Sequence, residues 1–131
     1  MINYFSKYKF VFYLCNIFLL LEYLYPGSLL GCIIFNNCKI QPQLTPDFII
    51  SSNHFYVFFI LSIVGFFTYT KSHQIIFLSI YLISLSFFLE IMHYLIPNRS
   101  FEFPDLFGNL AGVIPPIVLR FVIKKNENFK N

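Results

Sequence analysis

The polar residues between positions 90 and 112 are the ones best suited to chemistry, because they interrupt sequence that is otherwise strongly apolar. They are Glu90, His93, Arg99, Asp105 and Asn109. Ionisable side chains within or beside apolar helices usually serve a function, since removing them from water is costly. We therefore expect these five to form a ligand-binding or structural polar motif, with no residue assigned a catalytic role.

The composition is that of a membrane protein. Hydrophobic residues make up 57% of the chain and charged residues only 11%, whereas soluble domains carry about 25% charged residues. The mean hydropathy is +0.68. The net charge of +3 is concentrated at the termini and forms no basic face, so nucleic acid is not an expected partner. Membrane lipids are.

The length of 131 residues leaves room for about four spans of roughly 20 apolar residues each. We therefore expect an all-α, polytopic bundle in which residues 1–131 form a single domain. The predicted spans are residues 10–25, 54–69, 74–96 and 106–123. The third and fourth spans, joined by a short connection, are expected to form an antiparallel hairpin.

The distribution of basic residues predicts the orientation. Seven of the nine Lys and Arg residues lie at the N-terminus, in the second connection or in the tail, namely Lys7, Lys9, Lys71, Arg120, Lys124, Lys125 and Lys130. Only Lys39 and Arg99 lie in the other two loops. Because cytoplasmic loops are enriched in Lys and Arg, both termini are expected in the cytoplasm of a plasma-membrane protein, and the polar motif outside.

Helical spacing predicts two polar stripes. Glu90, His93 and Tyr94 share one face of the third span, which places Tyr94 as an accessory residue. Asp105 and Asn109 share a face of the fourth span, where Asp105 adds negative charge at the positive end of the helix. The same helix carries a small-xxx-small pair that lets another helix approach closely. The pair is Gly108 and Gly112.

Arg99 lies in the connection between these stripes. We expect it to fold back between Glu90 and Asp105, because one guanidinium fork can serve two carboxylates in a site of low dielectric constant. Two interpretations stay open at this point. The motif is either a site for a ligand or a clasp that only locks two helices together.

The cysteines predict less. Cys15 lies in the first span, whereas Cys32 and Cys38 lie in the outer loop, where an oxidising compartment would permit a disulfide. Five intervening residues make a small disulfide ring possible, but we favour two unpaired or loosely paired thiols. No metal or cofactor is expected, because no further Cys or His stands nearby at ligand spacing. Residues 29–32 also resemble a lipoprotein cleavage site, but Glu22 interrupts the apolar core of such a signal, so the first span is expected to remain attached.

The motif resembles that of the VanZ-like membrane proteins. Glu90-x-x-His93, Pro97-x-Arg99 and Asp105-x-x-x-Asn109-x-x-Gly112 follow one another here, as E-x-x-Q, a proline with an arginine, D-x-x-x-N and a glycine do in that family. The resemblance implies four spans, an outward polar motif, and an accessory role for a histidine that opens the second span, here His54. The family's usual glutamine is His93 in this chain.

The family is named for low-level resistance to the glycopeptide teicoplanin, and the resemblance implies a cell-envelope role. Three hypotheses follow. The polar motif recognises an envelope lipid, a cell-wall component or a glycopeptide; or Glu90 and His93 act as base and acid on a lipid head group, with Arg99 holding a phosphate. In the third, the protein is an accessory subunit that docks other membrane proteins through Gly108 and Gly112.

Overall fold

The structure, a computed structural model, describes residues 4–129 and, from residue 9 onward, their side chains. Within that range it contains five helices and no strand. The helices are α1 (Tyr4–Leu24), α2 (Leu29–Phe35), α3 (Ser52–Thr68), α4 (Ser72–Met92) and α5 (Phe103–Phe129). The predicted all-helical class is confirmed.

Two of these helices, α4 and α5, are long and apolar enough to cross a membrane. A third crossing is possible if residues 9–24 of α1 and the whole of α2 count as one broken span, with an 89° bend between them. The apolar helix α3 has 17 residues, which is about 25 Å of helix against a hydrocarbon core of about 30 Å. The fold is thus compatible with a helical membrane protein of two or three spans, and the fourth span stays a prediction.

The helix ends differ from the predicted spans where local chemistry overrides the apolar pattern. The apolar run continues to Ile96, but α4 ends at Met92, because the chain must leave the helix before Pro97. Helix α2 lies in what was expected to be a loop. It begins where the Ser28 Oγ accepts a hydrogen bond from the Gly31 backbone N–H at 2.9 Å, which caps its first turn.

Helix α5 packs most closely against α3, through its two glycines. A Cβ at Gly112 would lie 2.5 Å from the Phe55 carbonyl oxygen, and one at Gly108 would lie 2.6 Å from the Ser51 carbonyl oxygen. Only glycine permits such an approach of two backbones. The Gly108–Gly112 face is therefore filled by the chain's own α3 and is not free to dock another protein, which corrects that part of the third hypothesis.

Helices α4 and α5 also contact each other. The Asn109 Nδ2 donates to the Ser86 carbonyl oxygen, and the Glu102 N–H donates to Glu90. The later residue of α4, Glu90, is thus paired with the earlier position near α5, Glu102. The two helices therefore run antiparallel, as the predicted hairpin requires.

Large apolar side chains cover the outside of the bundle. Phe67 at the end of α3 and Phe77 on α4 each leave 70% of their surface exposed, and similar residues lie along α1 and α5. Soluble monomers rarely expose continuous apolar surface on this scale. This surface is compatible with contact to lipid.

Cys32 and Cys38 form a disulfide, so the small ring that their spacing permits is present, in place of the favoured unpaired or loosely paired thiols. The reason is the end of α2. Asn36 adopts a left-handed conformation, with φ of 50°, and reverses the chain so that Cys38 returns to the side of Cys32. Because the Cys32 sulfur is used in this bond, it is not available for the lipid attachment that a lipoprotein signal would require.

Candidate functional site

Polar side chains from four helices meet at the end of the bundle where α1 and α4 end and α3 and α5 begin. This polar cluster consists of Tyr23, His54, Glu90, His93, Asp105 and Asn109. All of them are buried except Asp105, whose side chain is 21% exposed. Four of the five predicted motif residues are thus brought together. Arg99 is the exception.

Asn109 organises the centre of the cluster. Its Nδ2 donates to the Ser86 carbonyl oxygen of α4 at 3.3 Å, which directs its Oδ1 toward α1 and α3. That oxygen accepts a hydrogen bond from the Tyr23 hydroxyl and lies 3.0 Å from the Nδ1 of His54. One amide therefore links four helices.

His54 has a different neighbour at each ring nitrogen. Its Nδ1 lies 3.0 Å from the Asn109 Oδ1 and 2.9 Å from the Tyr23 hydroxyl oxygen. Since the Tyr23 hydroxyl donates its hydrogen to Asn109, both neighbours present acceptor oxygens, and the tautomer that suits them carries its hydrogen on Nδ1. The other nitrogen, Nε2, lies 3.4 Å from the Asp105 Oδ2. Helix α3 therefore points an imidazole nitrogen directly at a carboxylate at the start of α5.

Glu90 has no exposed surface. Its Oε1 accepts the backbone N–H of Glu102 at 3.0 Å and lies 3.4 Å from the Nδ1 of His93. Its Oε2 has no hydrogen-bond partner in the part of the chain that the structure describes, and it lies 3.9 Å from the Nδ1 of His54. A buried carboxylate oxygen without a partner is costly and needs an explanation.

His93 joins α4 to the end of α1. Its ring stacks on that of Tyr23, with centroids 5.5 Å apart, and its Nε2 lies 3.2 Å from the Tyr23 carbonyl oxygen. At the position where the resembled family has glutamine, the imidazole thus bridges a backbone carbonyl and a carboxylate. Both partners are acceptors, so a glutamine could serve both only through the two hydrogens of its amide nitrogen.

Arg99 does not bridge Glu90 and Asp105, so that expectation is wrong. Among the described residues it forms no ion pair with either carboxylate. Its guanidinium instead donates to the carbonyl oxygens of Glu22 at 2.9 Å and Tyr25 at 3.4 Å. These carbonyls belong to the end of α1 and the residue after it, where an Arg stabilises the negative end of a helix.

Tyr94 lies outside the cluster, contrary to the accessory role expected for it. Because α4 ends at Met92, Tyr94 no longer follows the helical stripe of Glu90. Its side chain is 71% exposed, and its ring stacks on Phe101 at 5.2 Å.

Tyr23 was missed by the sequence analysis, and His54 entered it only through the family resemblance. Tyr23 follows Glu22 and His54 follows Asn53, but neither has a helical spacing to the residues of the polar motif that would mark it as part of a site. For Tyr23 the one available signal was its position near the outer end of a predicted span, the end at which the polar motif also lies.

Two cavities adjoin the cluster. A mainly polar cavity of about 270 Å³ is lined by His54, His93, Arg99, Asp105 and loop residues that include Asp47. An apolar cavity of about 320 Å³ lies between α1, α2 and α3 and is lined by Phe18, Ile34 and Ile60, among others. The two share six lining residues, namely Gln41, Gln43, Asn53, His54, His93 and Arg99.

Asp47 adds a negative charge to the polar cavity. Its Oδ1 accepts the Ser52 backbone N–H at 2.7 Å, at the start of α3. This hydrogen bond keeps the pKa of the Asp47 carboxyl below its usual value, because it favours the ionised form.

Searches of protein-family models, curated proteins and solved structures found no match to this chain. Its chemistry therefore has to be inferred from the cluster and the two cavities themselves.

Proposed function

We propose that the protein is a VanZ-like integral membrane protein of the cell envelope that binds an envelope lipid at its outer face. The polar head group occupies the polar cavity, and an acyl chain occupies the apolar cavity. Both termini lie in the cytoplasm of a plasma-membrane protein.

The observation that carries this proposal is the junction of the two cavities. His54, His93 and Arg99 line both of them, so one molecule can contact polar and apolar walls at once. Ligand sites are typically largely apolar clefts of about 300–1,000 Å³ with a few polar groups that fix orientation. A lipid with a hydrogen-bonding head group has that character.

Access from the lipid phase supports the same ligand. Phe18, Ile34 and Ile60 line the apolar cavity, yet each is exposed on the outside of the bundle. The cavity is therefore open on its side, between α1, α2 and α3. A lipid can enter it with its acyl chain still among other acyl chains.

Two features support the outward orientation. The polar cavity lies on the side of the predicted spans that carries only two of nine Lys and Arg residues. The Cys32–Cys38 disulfide is on that side too, and disulfides persist in oxidising compartments rather than in the cytosol.

The family resemblance gains support from the way the motif folds. Glu90, His93, Asp105 and Asn109 are spread over 20 positions, yet they share one cluster with His54, the residue that the resemblance places beside them. The family's link to teicoplanin then becomes a phenotype to test in a heterologous host, through the expression of this chain.

The lipid proposal is tested by native mass spectrometry of the full chain released from a mild detergent. We expect the wild-type chain to retain one lipid. In Ile60→Trp the indole should fill the apolar cavity, so that lipid occupancy falls severalfold.

Ile80→Trp is the matched control, because Ile80 is exposed on α4 and lines neither cavity. It should retain the lipid. A wild-type chain that releases every lipid, or equal retention by the two tryptophan variants, would contradict the proposal.

A further inference from the structure

Three side chains of metal-ligand type converge inside the polar cluster. His54 of α3, Glu90 of α4 and Asp105 of α5 each offer one ligand atom, and these atoms all lie within 4.8 Å of one another. Glu90 and Asp105 are at least 36 positions from His54 along the chain. Their spacing in the sequence therefore gave no sign of a metal site.

The first observation that points to a cation is the pair of acceptor atoms that His54 and Asp105 direct at each other. The Nδ1 of His54 faces the Asn109 Oδ1 and the Tyr23 hydroxyl oxygen, and that hydroxyl donates to Asn109. A neutral ring that satisfies both neighbours has its hydrogen on Nδ1 and its lone pair on Nε2. That lone pair faces the Asp105 Oδ2 at 3.4 Å. Two acceptors so close together repel each other unless a proton or a metal ion lies between them.

Glu90 supplies a second, independent observation. Its side chain has no exposed surface, and among the described residues its Oε2 has no hydrogen-bond partner. Buried carboxylates are normally paired or bound to a metal. This free oxygen is directed at the ring of His54, 3.9 Å from its Nδ1.

We propose that His54, Glu90 and Asp105 bind a divalent transition-metal ion, with zinc as the best match. One imidazole nitrogen and two carboxylate oxygens suit zinc, and three protein ligands with a further open position are typical of catalytic rather than structural zinc sites. The inference does not depend on the lipid proposal.

The surroundings of the three ligands are those of a metal site. A ligating histidine almost always donates its second N–H to a carbonyl or carboxylate oxygen, as the Nδ1 of His54 does here to Asn109. Tyr23 and Ser86 hold that amide in place. The cluster thus fixes the ring orientation that binding requires.

A route for the ion is also present. His54 and Asp105 line the polar cavity, and the partly exposed Asp105 carboxylate is its first contact with the cluster. A fourth coordination position on this side would be open to water or to a phosphate or carboxylate oxygen of a bound molecule.

The test uses the full chain in detergent, without a histidine tag, after removal of metal by a chelator. Zinc is titrated in competition with a chromophoric chelator. We expect one zinc ion per chain, and an affinity at least about tenfold weaker in Asp105→Asn, the order of loss typical even for residues that only orient a metal ligand. Asp105 is chosen because its partial exposure makes this variant the least disruptive of the three.

One control variant should bind zinc as the wild type does. His73→Gln removes an exposed histidine at the start of α4 that does not line the polar cavity. Ile60→Trp should also keep its zinc affinity, so that loss of lipid and loss of metal are distinguishable.

X-ray absorption of the zinc-loaded wild type provides a readout that needs no variant. We expect one imidazole, oxygen donors and no sulfur. A wild-type chain that binds no zinc at micromolar concentrations, a spectrum with sulfur ligands, or an Asp105→Asn variant with unchanged affinity would each overturn the proposal.

Discussion

Imidazoles, rather than a guanidinium, face the carboxylates of the polar cluster. His93 lies beside the Oε1 of Glu90, and His54 lies beside Asp105. An arginine is permanently charged, whereas a histidine can be neutral, can be protonated or can bind a metal. The charge of the cluster can therefore change with protonation or metal binding, whereas the charge of an arginine clasp could not. Such a variable charge favours a site over a purely structural clasp.

At the residue scale, the contacts of Arg99 lead to a prediction. Arg99→Ala removes hydrogen bonds from a charged group to two carbonyl oxygens at the end of α1, so it should lower the free energy of unfolding by about 1.5–3 kcal/mol. The same loss should appear in a Glu90→Gln background, because Arg99 and Glu90 share no hydrogen-bond partner among the described residues. The free energy of unfolding is measured by SDS titration in detergent for the wild type, for each single variant and for the double variant.

Lys39→Ala is the control for this double-mutant cycle of Arg99 and Glu90. Lys39 is an exposed cation in the same outer region, so its loss should change the free energy of unfolding by less than about 0.5 kcal/mol. Additivity within about 0.5 kcal/mol is expected for residues that do not interact. A coupling energy above about 1 kcal/mol between Arg99 and Glu90 would indicate that the two side chains interact, as in the clasp. It would contradict the placement of Arg99 against the end of α1.

The sequence allowed part of the cluster to be predicted. Glu90 and His93, one helical turn apart, and Asp105 and Asn109, four residues apart, were expected to meet across a hairpin, and they do. The partner of Arg99 could not be predicted, because it depends on where α1 ends relative to the connection after α4. Tyr23 was missed for the same reason.

At the scale of helices, the contact between α3 and α5 positions the site. The start of α3 carries His54, and the start of α5 carries Asp105 and Asn109. The two glycines of α5 let these helices approach until the side chains touch. The small-xxx-small spacing predicted a close approach, but it could not say which helix would be the neighbour.

Gly112→Ala tests this packing. The added Cβ would meet backbone atoms of α3 at 2.5 and 2.8 Å, which a rotamer change cannot relieve. Overpacking of this kind costs about 1–3 kcal/mol, more than the roughly 1 kcal/mol that alanine gains over glycine in a helix. We expect a lower melting temperature in detergent.

Ile114→Val serves as the comparison, because Ile114 lies on the exposed side of the same helix. It should shift the melting temperature little. A Gly112→Ala chain that melts at or above the wild-type temperature would show that α3 and α5 are not packed at this distance.

At the scale of the whole molecule, a composition with 57% hydrophobic residues predicted apolar helices, and the helices of the described residues are compatible with a membrane protein. Two of them, or three with the bent pair, are long and apolar enough to cross a membrane, so the count of four spans stays a prediction. The first apolar stretch continues as α1 and α2 with a sharp bend, and α3 is short for a bilayer. Gly27, with φ of 109°, lies between α1 and α2 and permits that bend, a feature that hydropathy does not detect.

The proposed function requires the polar cavity to open to the outside of the cell. Cysteine labelling tests this orientation most directly. In a background with Cys15, Cys32 and Cys38 replaced by serine, Ser100→Cys places a thiol in the polar cavity, and Lys125→Cys places one on the C-terminal part of α5. An impermeant thiol reagent added to intact cells should label the first variant and leave the second unlabelled until the cells are opened. Labelling of Lys125→Cys alone in intact cells would invert the topology and contradict a role at the outer face.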